Sequence, residues 1–211
     1  MPLRLLRGTA LALKTGHRRS IDIDIFSTLP FNAPELSRHL TTTYEAKRVQ
    51  TITNGVFCFI NGIKTDLLAH QYPLLNAIDK TDGIRMVSLK DIGAMKLNAI
   101  YGNGSRLKDF IDIYFLLERF SLQELLDASE NKYPDNHPDM VKKSLIHFED
   151  IDFSVPVDFV NTPVKWSAIA DRLKQCYANP HLKLNSRQDM IKNLPAKSKQ
   201  HKKRPKRGRR L

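Results

Sequence analysis

Two aspartates set one residue apart in the apolar segment Ile21-Asp22-Ile23-Asp24-Ile25-Phe26 are the residues whose types and spacing point most directly to chemistry. In an extended chain successive side chains alternate between faces. Asp22 and Asp24 are therefore expected on one face, roughly 6.8 Å apart along the strand, with Ile21, Ile23 and Ile25 on the buried one. Carboxylates at that spacing can hold magnesium between them. The ion takes a few carboxylate oxygens and leaves its other positions to water and substrate phosphates, the arrangement used in nucleotidyl and phosphoryl transfer.

Upstream, Gly8-Thr9-Ala10-Leu11-Ala12-Leu13-Lys14-Thr15-Gly16 reads as a turn, a short helix capped by Thr9 and a terminating glycine. Free backbone N–H groups at such a helix start, about Gly8 and Thr9, suit a triphosphate. The run G-T-A-L-A-L-K-T-G-H-R-R-S-I-D-I-D-I-F resembles the opening motif of the AbiEii/AbiGii toxin family. Its members are bacterial nucleotidyltransferases of the DNA polymerase β-like superfamily, belonging to type IV toxin–antitoxin systems. Further blocks follow in the family's order, I-K-T-D-L-L, S-L-K-D-I-G-A-M-K-L-N-A-I and K-D-F-I-D-I-Y-F-L-L, so the resemblance extends to about Phe120.

The resemblance implies an α+β fold: a nucleotidyltransferase-fold mixed sheet with a C-terminal helical region. It also implies a magnesium-dependent transfer of a nucleoside monophosphate from an NTP to an acceptor. Asp22 and Asp24 would then bridge the metal and align the α-phosphate, and Asp66 would be the third carboxylate. Lys96 would reach the triphosphate and neutralise charge on the leaving pyrophosphate. Asp109 and Asp112 would either grip Lys96 or contact the nucleotide, a choice spacing leaves open. Arg19 and Ser20, at the entrance to the strand, are candidates for phosphate contact, and His17 is expected to be structural or substrate-positioning. Some family toxins modify the 3′ end of tRNA, so an RNA acceptor and a cognate antitoxin are the implied partners. A small-molecule acceptor and a catalytically weak nucleic-acid-binding remnant are the alternatives.

Two departures from the family pattern carry expectations of their own. The family usually shows two glycines where this chain has Arg7-Gly8. If position 7 needs positive φ, an arginine there is strained by about 1–3 kcal/mol and nucleotide binding is altered. The family also usually has a helical segment before the strand that begins here near Met1, which predicts a shortened N-terminus.

Composition narrows the function classes. The 211-residue chain carries a formal charge of +12, but the excess is concentrated in the segment from Lys183 onward, where Asp189 is the lone acid among many Lys and Arg. Attraction to nucleic acid from net charge therefore resides in the tail, and the segment from Lys197 to Arg210 is expected to be disordered alone. Cys58 and Cys176 lie far apart with no C-x-x-C spacing, which argues against a disulfide scaffold or zinc ribbon. No apolar run reaches the roughly 20 residues of a membrane helix, and a reducing cytoplasm is the expected location.

The elements that must position these residues are readable in outline. Leu3 to Leu6 reads as the end of a first strand, and Ala33 to about Tyr44 as a helix. Three strands follow, 48–53, 56–60 and 63–68, joined by Asn54-Gly55 and Asn61-Gly62 turns. This antiparallel segment is expected to present Asp66 on a strand that can lie beside Asp22 and Asp24. Beyond Pro73 helical spacing takes over: Ser88 and Asp91 cap a helix to about Tyr101, a second runs from Leu107 to Phe120, and Ser121 and Glu124 open a third. Further helices are expected over 138–148 and 163–177. The implied organisation is a catalytic core over 1–87, a helical region over 88–182 that completes the active site, and a basic tail over 183–211.

Overall fold

The computed structural model describes residues 4–5 and 7–184. The expected disordered tail beyond Leu184 lies outside the described residues. Seven strands form one mixed sheet in the order β3-β4-β5-β2-β1-β7-β6. They are β1 (Arg4–Leu5), β2 (Ile23–Ser27), β3 (Lys47–Ile52), β4 (Gly55–Ile60), β5 (Ile63–Ala69), β6 (Asp79–Thr81) and β7 (Ile84–Met86). The helices are α1 (Arg7–Thr15), α2 (Ala33–Tyr44), α3 (Leu89–Gly102), α4 (Leu107–Leu116), α5 (Leu122–Lys132), α6 (Pro138–Ser144) and α7 (Trp166–Ala178).

The two faces of the sheet are covered differently. On one, α2 buries Leu40 against Val56, Cys58 and Leu67, with Ile25 packed at the margin. On the other, Phe26 and Leu68 join a larger core that runs through α1, α3, α4, α5 and α7, including Leu11, Ile92, Phe110, Leu125 and Leu173. The apolar residues of α3 point in several directions because the helix is central, touching α1, α4, α5 and α6. Strand alternation then places Asp24 on the same face as Phe26, and Asp66 on the same face as Leu68.

Local chemistry explains most boundaries. Asn32 caps α2 by accepting the Glu35 N–H, with Pro34 in the first turn, and Glu45 closes the helix in the left-handed region at φ 51°. Ser88 caps α3, and Ser121 with Glu124 forms a reciprocal capping box on α5. Gly16 ends α1 at φ 65°, as the terminating glycine predicts. Both cysteines are buried and free.

Several expectations are corrected. Thr9 does not cap α1, which already begins at Arg7; its hydroxyl instead faces the strand entrance. Arg7 therefore has helical backbone, where φ is negative, and the anticipated strain does not arise. Ile21 is 80% exposed rather than buried, because regular pairing starts only at Ile23. The first hairpin turns at Thr53-Asn54, one residue earlier than Asn54-Gly55, since Gly55 pairs with Ile52. The β6–β7 hairpin was not anticipated, although Asp82-Gly83, at φ 49° and 81°, is a turn signature of the same kind. Helices α4 and α6 end at Leu116 and Ser144, short of Phe120 and 148.

Candidate active site

Strands β2 and β5 pair in parallel with Asp24 directly opposite Asp66. Their side chains leave one face of the sheet on neighbouring strands, which lie about 4.8 Å apart. Asp66 gives one oxygen, Oδ2, to Lys64 Nζ at 2.5 Å. Its other oxygen, Oδ1, is buried and has no hydrogen-bond partner among the described residues. A buried carboxylate oxygen left bare is costly unless something absent from the polypeptide satisfies it. Asp22 sits just before β2 and is exposed. Its carbonyl accepts the Thr9 hydroxyl, which also meets Ser20 Oγ at 2.9 Å, so Thr9 and Ser20 stitch the start of α1 to the strand entrance.

A second cluster lies beside the first and is almost wholly buried. Lys96 Nζ, on α3, meets Asp109 Oδ1 at 2.5 Å and Asp112 Oδ2 at 2.6 Å. Asp112 also takes Arg18 Nε at 2.7 Å, Arg18 Nη2 at 2.9 Å and His17 Nε2 at 2.9 Å. Both acids of α4 thus grip Lys96, one of the two arrangements that spacing left open. Burial works against the Asp112 anion, but Lys96, the Arg18 and His17 hydrogen bonds and the Arg18 charge hold its carboxyl far below the usual range. Burial likewise opposes the Lys96 cation, yet Asp112 and Asp109 outweigh it and raise the ammonium above its ordinary value. Lys96 is therefore a buried, charged residue and not a surface lysine with its stem laid over the core.

Arg18 is a site residue that the sequence reading did not single out. Its guanidinium is 4% exposed and is held above its ordinary pKa, because Asp112 outweighs the burial that opposes it. The available signal was the alternation Arg18, Ser20, Asp22, Asp24, which sets four polar residues on one side of an extended segment. Gly8 owes its lack of a side chain to this arginine: a Cβ there would lie 2.7 Å from Arg18 Nη2.

Asp22 and Asp24 of the first cluster and Arg18 and Lys96 of the second line one cleft of about 460 Å³, with Gly8, Arg19, Ser20 and, from the helical side, Arg106 and Lys108. One wall comes from a segment the sequence left unread. Asp158 O accepts the Arg19 N–H at 2.8 Å and His17 O accepts the Val160 N–H at 3.2 Å, so residues 158–160 run alongside 17–19. Arg19 itself is exposed and pairs loosely with Asp158 at 3.5 Å. A cleft that brings five basic side chains together with Asp22 and Asp24 suits a polyphosphate, whose oxygens the cations can meet while the carboxylates hold a metal.

Among the described residues, no three His, Cys, Asp or Glu side chains form a ready cluster for a metal ion. Magnesium needs no such cage, since it is commonly held by one or two carboxylates plus waters and substrate phosphates. The bare Asp66 oxygen next to Asp24 fits that requirement.

Residues 8–175 match the family described as nucleotidyl transferase AbiEii toxin, type IV TA system. The chain belongs to the AbiEii family. AbiEii membership makes it a nucleotidyltransferase of a toxin family, and the match covers every site residue above from Gly8 to Asp112. The uncharacterized protein aq_aa25 of Aquifex aeolicus (strain VF5) is 34% identical over 152 residues, 69% of this chain and 73% of that protein. Among solved structures, JHP933 from Helicobacter pylori is similar at a TM-score of 0.53 and 19% identity, covering 91% of this AbiEii chain and 89% of that one. A candidate nucleotidyltransferase from H. pylori gives 0.52 and 18%, over 86% and 87%. At such identities these two structures show the fold. No helix among the described residues is long and apolar enough to cross a membrane.

Proposed function

We propose that this AbiEii protein transfers a nucleoside monophosphate from a magnesium-bound NTP to an RNA hydroxyl, at the 3′ end of tRNA, in the cytoplasm. The modification arrests growth until a cognate antitoxin restrains it. The observation that carries the reading is the register of Asp24 opposite Asp66, with one Asp66 oxygen bare, where Asp22 and Asp24 line the same cleft as Arg18, Arg19, Lys96, Arg106 and Lys108.

In this reading Asp22, Asp24 and Asp66 hold the metal, which when bound polarises the phosphoryl oxygens and draws the acceptor hydroxyl toward deprotonation. Asp66 takes the proton of the acceptor hydroxyl. That oxygen forms a bond to the α-phosphorus, the bond from the α-phosphorus to the bridging oxygen breaks, and pyrophosphate leaves. Lys96 and Arg18, fixed by Asp109 and Asp112, place positive charge along the triphosphate without having to reorganise, and Arg19, Lys108 and the Gly8–Thr9 end of α1 border the same space.

Purified protein incubated with total tRNA and each α-labelled NTP tests this. RNA should become labelled with one NTP, the label should vanish with a chelator, and Asp24→Asn should lower the rate by about a hundredfold or more while remaining folded. Pyrophosphate release without labelled RNA would replace the RNA acceptor with a small molecule. An Asp24→Asn protein as active as the wild type would remove the proposed site.

A further inference from the structure

The sheet face that bears the carboxylates does not end at them. Asp24 and Asp66 are followed in register by Phe57 on β4 and Gln50 on β3, one row running across four strands. The adjacent row on the same face is Lys64, Phe59 and Lys47. Phe57 and Phe59 are half-buried and belong to neither hydrophobic core, whereas Val56 and Cys58, which alternate with them, are buried under α2 on the opposite face.

The margin of this face is basic and shaped. A β-bulge between Lys47 and Gln50 puts Arg48 at φ 51°, a conformation that non-glycine residues adopt only when their surroundings hold them there. The result sets the Arg48 guanidinium 5.6 Å from the centre of the Phe59 ring. Beside that ring is a hollow of about 430 Å³, lined by Glu45, Lys47, Arg48, Phe59, Asn61 and Gly62. Lys64 links the aromatic row to the site through its contact with Asp66.

We propose that this face is the track for the single-stranded 3′ end of the acceptor RNA. Phe57 and Phe59 stack on successive bases, Lys47, Arg48 and Lys64 meet the phosphates, and the terminal hydroxyl arrives at Asp66. Two rings two positions apart on one strand stand about 6.8 Å apart, which suits splayed nucleotides each with its own ring and not a stacked duplex. Charge favours this occupant over a basic or apolar protein segment, since three cations surround the rings, opposed at the margin by Glu45 alone among the lining residues, and the rings favour it over an acidic one, since aromatic rings interleaved with cations recognise bases and phosphates together. The inference rests on the RNA-acceptor reading of the site and names the surface that reading requires.

The test measures binding and transfer separately, with the full chain, using a short 5′-labelled oligoribonucleotide with a free 3′ hydroxyl and a blunt duplex of the same length. Salt is kept high enough to suppress the contribution of the basic tail. Wild type should bind the single strand more tightly than the duplex. Phe57→Leu and Phe59→Leu, which keep apolar bulk and remove the stacking plane, should each weaken single-strand binding about fivefold or more. Magnesium–NTP binding should be unchanged in both, which shows that the fold and the carboxylate site persist. Asp24→Asn should bind the strand normally but not extend it. If both leucine variants bind the single strand as wild type does, the track is wrong even where transfer to RNA occurs. If stacking-dependent binding is found but no RNA is ever labelled, the track stands and the transfer reading fails. Loss in the leucine variants of a protein partner, with RNA binding intact, would make the face a protein-docking surface and overturn the proposal.

Discussion

Asp112 has no exposed surface and three basic groups around it, so its charge is coupled to folding. The unfolded carboxyl titrates at about 3.9 and the folded one well below that. The group therefore contributes stability that is present above about pH 4 and is lost as pH falls toward the folded value. Asp112→Asn should cost about 3–5 kcal/mol at neutral pH, because Arg18 stays buried without its paired carboxylate and Lys96 keeps Asp109 alone, and should blunt the acid loss that the wild type shows. Urea denaturation followed from neutral to acid pH checks it; superimposable acid limbs would exclude Asp112 as the titrating group. The same geometry sets what Lys96→Ala should do. The lysine is buried between two carboxylates, so the substitution should lower stability as well as kcat/KM for NTP, and a purely kinetic effect would mean the pair is not formed in solution. At Gly8, alanine gains about 1 kcal/mol of helix propensity. It also drives a Cβ to 2.7 Å from an Arg18 guanidinium that two bonds to Asp112 hold in place. Overpacking of about 1–3 kcal/mol should win, giving a lower melting temperature together with weaker NTP binding.

Helix α3 connects the site to the rest of the molecule. Lys96 lies at its middle, and Asp91, in its first turn, is buried and bonded to Lys132 Nζ at 2.9 Å, to the Leu75 N–H at 3.0 Å and to Ser88 Oγ at 2.7 Å. Burial opposes the Asp91 anion, but the Lys132 hydrogen bond, the Leu75 N–H and the Ser88 hydroxyl hold it below its usual range. Lys132 also donates to Pro73 O at 2.6 Å, so this ion pair ties α5 and the chain after β5 to the start of α3. Lys132→Met should destabilise by about 3–5 kcal/mol, since Asp91 would remain buried without its cation. Thermal melts measure the loss. Saturating magnesium–NTP should restore part of it by binding the folded state alone, and a melt indifferent to nucleotide would argue against a nucleotide site on this side of the sheet.

At the scale of the whole molecule, charge and chemistry are segregated. The carboxylate site is assembled within residues 8–112, while much of the formal charge of +12 comes from the sequence after Lys183. Deleting the chain from Lys197 onward should flatten the salt dependence of RNA binding, by up to about 0.7 in log–log slope for each single-strand phosphate that the tail no longer neutralises. Magnesium and NTP binding should be unaffected. Binding isotherms at several salt concentrations decide it, and coincident slopes for full-length and truncated protein would remove the tail from RNA binding.

Sequence alone determined what local physics controls. Helix starts at Ala33, Leu89 and Leu122 follow from Asn32, Ser88 and Ser121, whose side chains satisfy the first N–H groups whatever the rest of the chain does. The Asn61-Gly62 hairpin and the period-two spacing of Asp22 and Asp24 are local in the same sense. Where a local signal was weak or went unread, the outcome depended on partners: β6 and β7 are three residues each and gain their place from β1, which pairs with β7. Tertiary structure decided the rest, because long-range pairing sets it. Asp66 meets Asp24 only through the parallel register of β2 and β5, which are separated by a helix and two strands. Lys96, Asp109 and Asp112 carry the same residue types whether they face water or one another. Burial turned them into a fixed cluster, and brought in Arg18, because a charge withdrawn from water persists only where opposite charges and hydrogen-bond donors are already in place.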